Sequence, residues 1–373
     1  MGFAQGSKKL HHKAVLADTH NDVLSSGVLD GIDISNRVKE GHTDLPRLKE
    51  GGVDIQFFSV WTGDKPRTQS FFQDALQEID SLNKLLLKNP AKISLALRSR
   101  EVKKALQQEK LVALIGVEGG HMIEGDLAKL EELADKGMRY LTLTWNNSTH
   151  WASSAMDETL RPDSLKQWGL SGFGRSVVKK LNELGVIVDL SHVGEKTFYD
   201  AIETSVKPVM LSHSSVWSLC PVFRNVKDEQ IRAVARNGGV ICINFYSGFI
   251  SRKWDEKQQQ LDRERASFMD ERSHLDSAQR IKEWRAYRSQ QLDPLRPTIG
   301  ELVDHIDYIV RIAGDRYVGI GSDFDGVSSL PVGLEDVTTY PKITEELVRR
   351  GYSKRSIKRI LGGNVMRVMK ANF

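Results

Sequence analysis

The chain has 373 residues, 27% of them charged and 40% hydrophobic, with a formal net charge of +4. This is an ordinary globular composition with room for a large core, and so small a positive balance gives no footing for a nucleic-acid partner. No apolar run approaches the roughly 20 residues that a membrane span needs.

The opening segment MGFAQGSKKLHHK lacks a signal peptide's apolar stretch, but processing would remove such a stretch, so the compartment stays open between export and the cytoplasm. His11 and His12 read there as solvated terminal side chains without a role. After them, short β-branched runs alternate with longer amphipathic segments, the signature of repeated βα units. The runs cover residues 14–20, 52–60, 111–118, 139–145, 185–192, 208–213, 239–246 and 317–323. Several, such as VALIGV and GVIVDL, are almost continuously apolar, as strands covered on both faces should be. Helices are predicted over SFFQDALQEIDSLNKLLLKN, GDLAKLEELADKG, GRSVVKKLNELG, DEQIRAVARNG and TIGELVDHIDYIVRIAG, several followed by a glycine suited to a left-handed cap.

Eight such strands predict an α/β fold, a (β/α)8 TIM-type barrel forming one domain over residues 1–373. A doubly wound open sheet is the alternative. Residues 252–297 break the rhythm with a Lys, Arg, Glu, Asp and Gln-rich run, predicted as a helical insertion after the seventh strand that presents a solvated face. The tail predicts a helix, a break at Gly362-Gly363 and a short closing helix. Cys220 and Cys242 read as two reduced thiols, since a domain of this size does not need a disulfide.

Candidate chemistry gathers at the ends of the apolar runs. His20 and Asp22 lie two apart, so on a strand both project to one side. Glu118, His192, His213 and Asp323 end later runs. A buried carboxylate is costly unless paired or metal-bound, and imidazole with carboxylate suits Zn2+ or a similar divalent ion. In a parallel barrel such side chains collect at the C-terminal strand ends. His42, His121, His274 and His305 lack that placement and read as loop or helix residues. Asp325, beside Gly326, reads as a turn former acting through its own backbone.

These residues and the segments around them resemble the membrane dipeptidase (renal dipeptidase) family of zinc peptidases. The likeness runs through THND, HTDLPRLKEGGVDIQFFSVW, LIGVEGGHMI, GFGRSVVKKLNELGVIVDLSHV, LSHSSVWSLCP, GSDFDGV and ILGGNVMRV, nearly the whole chain. It implies a distorted (β/α)8 barrel holding two zinc ions, one bound by His20 and Asp22, the other by His192 and His213, with Glu118 bridging. It further implies that Asp323 handles protons, that Arg224 binds the substrate's carboxylate, and that the protein is a homodimer acting on small dipeptides, including those with a C-terminal D-residue. One departure stands out. The family commonly has a histidine after LTLT, where this chain has Trp145; His150, five residues on, is either its replacement in the substrate contact or a loop histidine without function. The alternatives to a dipeptidase are a related metal-dependent amide or lactone hydrolase and a barrel turned binding protein.

Overall fold

The structure is a computed structural model that describes residues 2–373, with side chains from residue 5 onward. Its strands are β1 (Leu16–Asp18), β2 (Val53–Val60), β3 (Ile93–Leu95), β4 (Leu111–Glu118), β5 (Met138–Thr142), β6 (Ile187–Asp189), β7 (Met210–Leu211), β8 (Val240–Ile243) and β9 (Val318–Ile320). All pairings between them are parallel. Neighbours follow the order β2-β1-β9-β8-β7-β6-β5-β4, and β4 then pairs with β2 from Ile55↔Val112 to Val60↔Val117. That last ladder closes an eight-stranded barrel and rules out the open sheet.

The eight predicted runs supply the eight barrel strands. The ninth strand, β3, was not anticipated: it pairs only with the first half of β4, whose second half pairs with β5. Three residues, ISL, are too short to announce a strand by alternation. The register shifts at Gly116, where an added Cβ would lie 1.9 Å from Tyr140 Cζ. A glycine there lets the tyrosine ring lie inside the barrel.

The core has two layers. Ile55, Phe57, Leu114, Tyr140, Met210 and Cys242 belong to one cluster inside the barrel, and a larger cluster packs the strands against the helices. Phe71–Lys88 shows how the sequence builds one such helix. Ser70 caps it by accepting from Gln73 N, and Phe72, Ala75, Ile79 and Leu82 recur at the spacing that turns one face to the core. The helix Gly172–Leu184 ends at Gly185 with φ +71, a left-handed cap.

The insertion after β8 forms the helices Arg252–Glu271 and Ser277–Leu292, with a small core of Trp254, Leu261, Trp284 and Leu292. Its polar side chains pair along the helix, Arg252 with Glu256 and Gln260 with Glu264, as a solvated face should. The break expected at Gly362-Gly363 is instead a π turn over Arg359–Gly363, leading directly into Asn364–Asn372. Gly362 presses against β1, where an added Cβ would be 2.5 Å from Val15 O.

His11 is a correction. It ends the helix Gly2–His11, is fully buried, and bonds Thr344 Oγ1 at 2.7 Å and Gly51 O at 2.8 Å. The helix docks on the barrel's outer layer, so only His12 faces solvent. Cys220 and Cys242 are both buried and free. Among the described residues no helix is long and apolar enough to cross a membrane.

Candidate metal centre

The predicted ligands converge at the mouth of the barrel, most of them just beyond the strands. Glu118 is the last residue of β4, His213 lies two residues past β7, and His20 two past β1. His20 and Asp22 are therefore not on the strand; an isolated parallel bridge from Asn21 to Phe324 keeps them aligned. His192 and Asp323 follow β6 and β9 with φ +66 and +63. Left-handed backbone is uncommon for non-glycine residues, though less so for His and Asp, and it clusters at functional sites.

Glu118 is the geometric centre. Its Oε1 lies 2.8 Å from His192 Nε2 and 3.2 Å from His213 Nε2, while its Oε2 lies 3.5 Å from His20 Nε2. His20 Nε2 is in turn 3.4 Å from Asp22 Oδ2 and 4.0 Å from Asp323 Oδ1. Two overlapping groups, His20–Glu118–His213 and His20–Asp22–Asp323, each bring three ligand atoms within 4.8 Å. Only glycine fits beside them at Gly326, whose Cβ would meet Asp22 Oδ2 at 2.0 Å.

The far side of each imidazole is held by a partner that sequence reasoning missed. His20 Nδ1 lies 2.8 Å from the Tyr140 hydroxyl, His192 Nδ1 3.0 Å from Asn146 Oδ1, and His213 Nδ1 2.8 Å from Ser212 Oγ. Ser212 Oγ donates to Asp189 Oδ2, so it accepts from His213. In the His192 and His213 rings the proton then sits on Nδ1 and the Nε2 lone pair points into the cluster. Asn244 Nδ2 donates to Asp323 Oδ2 at 2.7 Å, leaving Oδ1 toward His20.

Charge is concentrated and dry here. Burial disfavours a charged His20, but the Tyr140 hydroxyl oxygen and the charges of Asp22 and Glu118 outweigh it and hold its imidazole well above the ordinary range. Burial would raise Glu118, yet the charge of His20 beside it holds it well below. Burial, reinforced by Asp22 and Glu118, pushes Asp323 well up. Burial and the Arg224 charge lower His192 to about 4, and burial and His20 push His213 well below its usual value.

These donors fit a divalent cation. They are oxygen and imidazole nitrogen without thiolate, the choice of zinc and similar ions. His20 Nε2 and Asp22 Oδ1 are buried with no hydrogen-bond partner among the described residues. A bound cation would satisfy both.

A cavity of about 420 Å3 opens over the cluster, lined by Asp22, Glu118, His192, Arg224 and Asp323 together with Trp61, Trp145, Tyr246 and Phe249. Trp145 stands in the wall, its ring centroid 5.2 Å from Trp61 and 6.3 Å from His192. Arg224 is 4% exposed, donates to His213 O and lies over the Phe249 ring, while its Nε has no partner among the described residues. His150 is a correction: it is exposed and stacks on Phe173 at 5.9 Å, outside the cavity lining. Thr149 Oγ1 accepts from Trp151 N and Ala152 N, a tight turn that carries His150 outward.

The remaining histidines lie outside the lining of this cavity. His305 accepts from Val216 N and donates to Ile250 O; His121 packs edge-on against Phe71; His274 is exposed in the insertion. Asp325 also differs from expectation: its carboxylate accepts from His42 N, and its own N–H donates to His42 Nδ1, so it ties two loops together.

The fold recurs in solved structures. The probable dipeptidase PvdM from Pseudomonas aeruginosa superposes with a TM-score of 0.83 at 24% identity, covering 99% of this chain and 98% of that one. A metallo peptidase from Rhodobacter sphaeroides, liganded with a phosphinate mimic of the dipeptide L-Ala-D-Ala, gives 0.77 at 22% identity over 96% and 99%. A dipeptidase of peptidase family M19 gives 0.75 at 23% identity over 96% and 98%. At such identities these likenesses speak for the fold, whereas the sequence model of the membrane dipeptidase family matches residues 4–372. The chain therefore belongs to the membrane dipeptidase family, peptidase family M19.

Proposed function

We propose that this dipeptidase holds two zinc ions and hydrolyses the amide bond of small dipeptides, including those with a C-terminal D-residue. The observation that carries the proposal is the division of Glu118, with one carboxylate oxygen toward His192 and His213 and the other toward His20 and Asp22. In this reading His20 and Asp22 bind one ion, His192 and His213 the other, and Glu118 both. When bound, the metal supplies an activated water nucleophile and polarises the scissile carbonyl. Asp323 Oδ1, with Oδ2 fixed by Asn244, takes the nucleophile's proton and passes it to the leaving amine. Arg224 holds the substrate's terminal carboxylate, a planar fork suited to two oxygens. Trp145 walls the site where family members commonly carry histidine. The ligand in the Rhodobacter sphaeroides structure supports the D-residue part by analogy.

Metal analysis after zinc loading, with a dipeptide panel, tests the reading. About two zinc ions per chain and hydrolysis of Ala-Ala or Ala-D-Ala are expected. Protein that keeps no metal would favour a barrel turned binding protein. Turnover of cyclic amides or lactones alone would favour the related hydrolase. The proposal includes a homodimer with residues 252–297 in its interface; a monomer in sedimentation would remove that part.

A further inference from the structure

We propose that a second cavity, behind Arg224, receives an aromatic side chain on the C-terminal residue of the substrate. This rests on the dipeptidase reading and adds a substrate class to it. The cavity, about 540 Å3, lies between the loops after β6 and β7 and the segment 155–168. Its size is that of a small-molecule pocket. His192, Phe223 and Arg224 line both this cavity and the one over the metal cluster, so the two cavities adjoin at these side chains.

Two features give the cavity its chemistry. Of the chain's seven tryptophans only Trp168 and Trp217 are exposed, at 49% and 41%, and both line this cavity. Phe198 and Phe223 also line it, together with the charged Glu158, Glu195 and Lys227. Large rings left half in solvent around a concave site mark a binding surface, and aromatic partners add edge and offset contacts to simple burial. On the same lining, Ser214 Oγ and Arg224 Nε are buried donors with no partner among the described residues. A spare guanidinium N–H with a spare hydroxyl beside it is what a carboxylate needs. A terminal carboxylate held there has its amide directed to the metal cluster, and the remaining substituent on that carbon is directed into the aromatic cavity.

The test compares kcat/KM for Ala-Phe and Ala-Ala in the zinc-loaded protein and in its Trp217→Ala and Trp217→Phe variants. The parent should favour Ala-Phe by about tenfold or more. Trp217→Ala should reduce that ratio about tenfold, and Trp217→Phe should restore most of it. No preference in the parent, or an unchanged ratio in Trp217→Ala, overturns the inference while leaving the dipeptidase reading intact. Because Trp217 is half exposed the variant should fold; Trp168→Ala is the second variant should it not. A binding arm needs no turnover: N-acetylphenylalanine should shift tryptophan emission saturably, and N-acetylalanine should not. Hydrolysis of neither dipeptide would defeat the dipeptidase reading, and equal responses to the two acetyl amino acids would still overturn the aromatic cavity on its own terms.

Discussion

Replacing Tyr140 with phenylalanine asks whether the barrel interior positions the imidazole of His20. Tyr140 is fully buried on β5, stacked 5.3 Å from Phe57, with its oxygen 2.8 Å from His20 Nδ1. Phenylalanine fills the same space, so packing survives and only the acceptor is lost. A buried imidazole N–H is then left alone, at a cost of about 1–3 kcal/mol. Losing such an outer partner typically weakens metal binding about 10- to 100-fold, or about 1.4–2.8 kcal/mol. The two ranges overlap, which is expected if the ring's orientation is the whole effect. Competition with a chelating dye measures zinc affinity in Tyr140→Phe and in a control, Tyr308→Phe, which removes a hydroxyl bonded to Asp228 on an outer helix. The first should lose affinity within that range and the second should keep it. A Tyr140→Phe protein that binds zinc as tightly as the parent would refute the reasoning, and equal losses in both would reduce it to general destabilisation.

Other substitutions separate binding from chemistry and fold from site. Glu118→Gln should lose metal and activity together, because one carboxylate faces both halves of the cluster; Asp323→Asn should keep metal and lose about 100- to 10,000-fold in turnover. Metal content beside kcat decides, and a Glu118→Gln protein with its full metal complement contradicts the bridging role. Gly116→Ala should cost about 1–3 kcal/mol, since its Cβ would lie 1.9 Å from the buried Tyr140 ring; an unchanged melting temperature would show that the ring can yield. Burial holds His305 near 4, against 6.5 for an unburied histidine. The unfolded chain therefore takes up a proton in that window which the native fold refuses, so stability declines as pH falls from 6.5 toward 4 and not above 6.5. The full effect is about 3 kcal/mol. Urea unfolding at about pH 7.5 and about pH 4.5 should show a smaller acid loss in His305→Gln than in the parent, and equal losses would sink the assignment.

Much of the fold was legible because each barrel strand is a short apolar run ending in a turn. The site was legible for a narrower reason: a carboxylate or imidazole at the end of such a run needs an explanation. The same logic should have flagged Asp18 and Asp189, both fully buried in apolar runs. The structure shows why they are not in the cluster. Asp189 accepts from Ser191 N, Ser212 N, Ser212 Oγ and Thr142 Oγ1. Asp18 is served by Ser322 N, Ser322 Oγ, Gln56 and the Tyr340 hydroxyl. Hydroxyls and amides from neighbouring strands stabilise a buried charge as a cation would, and no single-strand pattern distinguishes the two. His150 failed for a related reason: five residues of spacing say nothing of the Thr149 turn that sends it outward. The cavity behind Arg224 depends on which loops meet, so it has no linear signature.

The pairing of β1 with β9 has a bearing on how the protein is made. His20 and Asp22 leave the ribosome early, but the strand beside them ends at Ile320, and Asp323 N donates to His20 O. Gly362, pressed against β1, arrives later still. A nascent chain thus carries unpaired early ligands through most of its synthesis, and the cluster becomes whole only when the last βα unit seals the barrel.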